Sequence, residues 1–152
     1  MKGITPDLIE ETARRLEALT PGAKPVWGKL TAEELVPHLI GTVRSSMSQI
    51  PGPAFMGNWV TTTLLPPIVF LGLVGPPKNL KSIDPETGKP GAAVSSPGGI
   101  DTLESVMHAF LEGEETGGFE ASIHPLFGNI GATGWSKIHV LHTRHHLKQF
   151  RL

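Results

Sequence analysis

The sequence predicts an all-α fold, a four-helix bundle with long crossover loops, and three observations carry that expectation. Apolar residues recur at intervals of three and four over separate stretches, the spacing that gives a helix one buried face. Helix start signals precede two of these stretches, Thr5-Pro6 and Thr31 with Glu34. Strand signals are weak throughout, and no internal repeat period is present. At 152 residues the chain is read as one domain, 1–152, long enough to bury a core.

A first helix is expected over 6–19. Thr5 caps it, Pro6 suits the first helical position, and Asp7 and Glu10 complement the N-terminal dipole. Leu8, Ile9, Thr12, Leu16 and Leu19 form its apolar stripe, and Thr20-Pro21-Gly22 stops it. Residues 25–30 make a short link in which Trp27 is expected to plug the core. A second helix follows over 31–48, opened by a capping box of Thr31 and Glu34. Leu35, His38, Leu39, Thr42 and Val43 share its inner face, so His38 is expected to look inward. Pro37 falls within the first two turns, where it is tolerated better than in mid-helix.

Residues 55–74 are the most apolar stretch. A membrane span needs roughly 20 continuous apolar residues, and this one is interrupted by Asn58, three threonines and Pro66-Pro67. It is expected to be a heavily buried third helix, kinked or broken at the prolines, and to offer a homodimer interface. Residues 75–99 read as a long loop, locally basic through Lys78, Lys81 and Lys89. Such a loop is either a solvated flap or a lid giving polar contacts to an anionic substrate. A fourth helix is expected over 100–114, with Leu103, Val106, Met107, Phe110 and Leu111 buried. His124-Pro125-Leu126-Phe127-Gly128 reads as a tight loop. There His124 is a ligand, an acid/base or a loop hydrogen-bonder, the last being favoured. The final helix starts at Thr133.

Composition removes several function classes. The net charge of −1 leaves no basic footprint for nucleic acid or for an anionic membrane. The absence of cysteine removes disulfides, thiolate nucleophiles and cysteine metal sites. No glycine-rich phosphate loop, nucleophile elbow or nucleotide fingerprint is present. Residues 1–10 are polar and charged, unlike a secretory leader, so the chain is read as cytoplasmic.

What remains is histidine. Four of the seven fall in the last segment, at 139, 142, 145 and 146. His142 and His146 lie four apart and share a helix face, so both can point at one ion. His139 with His142, or His142 with His145, has three-residue spacing and remains an alternative. With inward His38 the pair makes a three-histidine set. Three protein ligands leave one position open, the geometry of a catalytic rather than a closed structural site. Such a site suits a divalent ion that lowers the pKa of a bound water or thiol. With no cysteine in the chain, any thiol arrives with a cofactor. Glu34, one turn before His38, is a candidate to orient that imidazole, although its capping-box role competes. His124 and His145 are candidate general bases.

The arrangement resembles a family. An early-helix histidine followed by a C-terminal HxxxH and Leu-x-Gln is similar to the DinB-like superfamily of metal-binding four-helix bundles. The matching residues are Trp27-Gly28-Lys29-Leu30, Glu34-Leu35, His38-Leu39, Pro77-Lys78-Asn79, the 124–128 loop, and His142 with residues 145–150. The resemblance implies a metal triad at His38, His142 and His146, with His145 on the next face. It implies zinc or nickel, a small-molecule substrate and often a homodimer. Among the activities it implies are thiol-dependent transferases and isomerases, with a hydrolase as a further reading. The alternative is a non-catalytic metal- or ligand-binding dimeric bundle, or a bundle whose histidines pack without metal.

Overall fold

The computed structural model describes residues 1–73 and 93–152. Most of the 75–99 loop, with its three lysines, lies outside the described residues. The described chain is helical: α1 (Pro6–Leu16), α2 (Ala32–Ser46), a π-helical turn (Val60–Leu64), α3 (Leu65–Phe70), α4 (Ile100–Thr116) and α5 (Gly131–Gln149). Among the described residues no strand forms, and the single isolated bridge joins His124 to Gly128.

Local chemistry explains the ends. The Thr5 side chain accepts from Leu8 N, and Pro6 follows as the first helical residue of α1. That helix stops at Leu16, three residues earlier than its apolar stripe suggested. At α2 the capping box is complete: Thr31 Oγ1 accepts from Glu34 N, and Glu34 Oε2 accepts from Thr31 N. α4 ends on Gly117, whose φ of 69° is the left-handed cap that glycine adopts without a Cβ penalty. α5 begins at Gly131, two residues before the expected Thr133.

α1 and α2 each pack against both α4 and α5, and α4 also touches α5. Leu35, Ile40 and Phe110 at the centre are fully inaccessible, joined by Ile9, Leu16, Leu103, Met107, Trp135 and Leu147. The N-terminal approach is tied to the last helix by Ile4 N donating to Ser136 Oγ at 2.9 Å.

Two expectations are corrected. The described part of the 55–74 stretch, residues 55–73, is not a long buried helix. Asn58 Oδ1 accepts from Val60 N and Thr61 N, so the helical run starts only there. Pro66 and Pro67 then have no N–H for the usual i→i−4 bonds, and the turn before them widens to the π form, with Leu65 N reaching Val60 O. Its outer side is bare: Trp59 is 68%, Leu71 69% and Leu73 72% exposed. The inner side sits on the 124–128 loop through Met56 N to Pro125 O and the Phe70–Phe127 ring contact. Trp27 is likewise no core plug. It is half-buried at the C-terminal end of α5, because its indole N–H and its carbonyl are both used there.

Candidate metal centre

Two helices bring three imidazoles to one point. His142 and His146 stand on the same face of α5, and His38 approaches from α2. His38 Nε2 lies 3.0 Å from His142 Nε2, and His146 Nε2 lies 2.9 Å from the same atom. One ligand nitrogen from each residue lies within 4.8 Å of the others. The rings meet edge to face, with centroids 4.5–5.0 Å apart. His38, His142 and His146 are therefore close enough together to hold one metal ion.

The partners of the outer ring nitrogens fix the proton positions. His38 Nδ1 lies 2.7 Å from the Val94 carbonyl, which only accepts, so Nδ1 carries the proton and Nε2 presents a lone pair. His146 Nδ1 lies 2.7 Å from Gln149 Oε1. Gln149 Nε2 donates to Trp27 O at 2.6 Å, which identifies the oxygen end of the amide. His146 therefore also holds its proton on Nδ1 and a lone pair on Nε2. His142 Nε2 faces both lone pairs. A single N–H there points at one of the two lone pairs and leaves the other without a donor. A cation satisfies all three nitrogens at once. Tetrahedral zinc bonds of about 2.0–2.1 Å place ligand nitrogens roughly 3.3–3.4 Å apart, within about half an ångström of the two spacings that share His142 Nε2.

Electrostatics favours the metal-binding form. Burial lowers the pKa of His142 well below its ordinary value of 6.5, and the neighbouring His38 and His146 add to that. Burial brings His146 to about 4. It lowers His38 too, opposed in part by the Val94 carbonyl and by Glu34. All three are neutral near pH 7, as a metal ligand must be.

A family model described as a protein of unknown function, DUF1569, matches residues 5–152. The chain belongs to the DUF1569 family. Neither the curated proteins nor the solved structures contain a match to it.

In this DUF1569 chain the other sequence candidates stand apart from the three nitrogens. Glu34 is exposed and spent on the capping box, so Val94 and Gln149 hold the outer imidazole nitrogens instead. His145 lies on the neighbouring face, half-buried, where its Nε2 accepts from Trp27 Nε1 at 3.4 Å. His124 Nδ1 accepts from Leu126 N and Phe127 N, both at 3.1 Å, and its ring stacks on Phe127 at 4.5 Å. It is the hydrogen-bonder of its loop. His139 turns into the core: Ser46 gives its hydroxyl proton to Val43 O and accepts from His139 Nε2 at 2.8 Å. The three-residue pairing of His139 with His142 is thereby set aside.

Three partners had little or no signature in the sequence. Val94 acts through its backbone from an irregular segment, so no side-chain pattern announces it. Trp27 also acts through its carbonyl. Gln149 did carry a signal, because it follows His146 at i+3 on the same helix face.

Proposed function

We propose that this DUF1569 protein binds one divalent metal ion through Nε2 of His38, His142 and His146. The observation that carries the reading is the meeting of three Nε2 atoms whose two outer members have their Nδ1 protons committed elsewhere. Zinc and nickel suit three neutral imidazoles. When bound at three protein ligands, such an ion lowers the pKa of a water or thiol at its open position. The chain's own contribution is to hold the imidazoles neutral and oriented. His38 and His142 each keep some solvent-accessible surface. A metal-dependent transferase, isomerase or hydrolase that uses a low-molecular-weight thiol fits this arrangement. The alternative is a metal-binding module without turnover.

The packing of α1 and α2 against both α4 and α5 supports a four-helix bundle, the architecture that the resemblance to the DinB-like superfamily implies. The exposed apolar face around Trp59, Leu64, Leu71 and Leu73 supports pairing of two copies. Residues 45–77 contain no Asp, Glu, Lys, Arg or His, so a face built from them meets its own copy without opposing like charges.

The deciding experiment is metal analysis by mass spectrometry on protein purified without a histidine tag. About one ion per chain, or stoichiometric uptake of added zinc or nickel, is the expected result. No metal and no uptake would overturn the reading. If metal is present, thermal shift with small thiols separates the thiol-using enzyme from the inert module.

A further inference from the structure

We propose that Gly41 is a positioning residue for the metal centre, an inference that rests on the metal-binding reading above. Its missing side chain lets residues 94–96 lie flat on α2 and hand the Val94 carbonyl to His38.

Gly41 is buried in the interior of α2, where glycine is a poor helix former and alanine the best. Helix formation alone gives no reason for it. The surroundings do. A Cβ built on Gly41 would lie 2.6 Å from both Cα and the carbonyl carbon of Ser95, and 2.7 Å from its nitrogen. Those are backbone atoms, so the conflict cannot be relieved by turning a side chain. The whole segment would have to lift.

The segment is held down on both sides of that contact. Ser96 N donates to Pro37 O at 2.9 Å, and Arg44 Nη1 donates to Ser96 Oγ at 2.6 Å. Pro37, Gly41 and Arg44 recur at i, i+4 and i+7, one stripe of α2 on which the segment lies. Val94 is two residues before Ser96, and its carbonyl lies 2.7 Å from His38 Nδ1. Lifting Ser95 withdraws that acceptor. The proton of His38 is then free to move to Nε2, the atom aimed at His142. Gly41 thus acts on His38 through Ser95 and Val94 and never touches the ligand nitrogens itself.

The test is Gly41→Ala, with Gly99→Ala as a control, since a Cβ at Gly99 meets nothing within 4 Å. The first readout is the ring ¹⁵N shifts of His38 in metal-free protein, which report the tautomer without any metal. The second is the zinc Kd from competition titration. The wild type and Gly99→Ala are expected to show His38 protonated on Nδ1. Gly41→Ala is expected to show a mixture of tautomers and a Kd weakened by about 10- to 100-fold, the usual effect of losing a partner that orients a ligand. A merely structural role would lower the melting temperature and leave the tautomer unchanged. An unchanged His38 tautomer in folded Gly41→Ala would overturn the proposal. If Gly41→Ala does not fold, Arg44→Met decides, because it frees Ser96 without adding atoms beside Ser95. It is expected to shift the same signal in the same direction, and no shift would overturn the proposal. Failure of the wild type to bind zinc would refute the metal reading, whereas the ¹⁵N readout still judges the role of Gly41.

Discussion

His38 and His142 are 104 positions apart in the chain, yet their Nε2 atoms stand 3.0 Å apart. Neither helix alone makes that contact. It depends on α2 and α5 packing against each other and on His38 being turned by the Val94 carbonyl.

Removing a ligand nitrogen should empty the site. His38→Ala, His142→Ala and His146→Ala are each expected to lose nearly all bound metal, measured as ions per chain by mass spectrometry. His108→Ala is expected to keep it, because His108 is exposed on α4, outside the three-histidine group. Equal metal in all four variants would refute the assignment of ligands.

Gln149→Leu should weaken the site without removing a ligand. The amide links His146 Nδ1 to the Trp27 carbonyl, and leucine fills similar space but provides neither bond. A zinc Kd raised by about 10- to 100-fold is expected. The 25–30 link should also loosen, although Val26 N still donates to the Gln149 carbonyl at 2.7 Å. Hydrogen exchange at residues 26–28 checks that second effect.

Acid should destabilise the metal-free protein beginning near pH 6.5. His124 and His146 titrate at about 4 in the folded chain, and His139 at about 3, in each case chiefly because they are buried. Their folded values lie below the ordinary value of 6.5. The unfolded chain therefore binds more protons as pH falls, and stability is lost from about 6.5 downward. Each such histidine contributes a slope of about 1.4 kcal/mol per pH unit until its folded pKa is reached. Urea midpoints between pH 7 and 4 in chelator measure it. His124→Leu is expected to flatten the slope by about one histidine's share.

Charging the bare apolar face should abolish self-association. Trp59→Glu or Leu71→Glu is expected to give a monomer in sedimentation where the wild type sediments as a dimer. Both side chains are largely exposed, so each monomer should keep its helical content. A monomeric wild type would remove the pairing proposal.

The sequence made the parts of this fold that depend on spacing legible. The stripe of Leu8, Ile9, Thr12 and Leu16 is buried as its period implies, and the Thr31–Glu34 box caps α2. The histidines four apart on α5, with inward His38, are the residues that meet. Less legible were features set by single backbone atoms. Around 55–74 the apolar composition outweighed one signal, Asn58, whose side chain starts the helical turn late. The bond from Val94 to His38 joins a carbonyl to a residue 56 positions away, and no residue type encodes it. Gly41 is visible only as a helix residue of poor propensity until Ser95 is seen lying on it.

The placement of Trp27 has an optical consequence. Its indole ring lies 5.5 Å from the ring of His145, which in turn lies 5.2 Å from that of His146. If His38, His142 and His146 bind the proposed ion, the emission of this one fluorophore should report it. Zinc has a filled d shell and leaves an excited indole bright, whereas open-shell nickel quenches it. Of the three tryptophans, Trp59 is on the bare face and Trp135 is in the core, so Trp27→Phe separates the signal of the site from the rest.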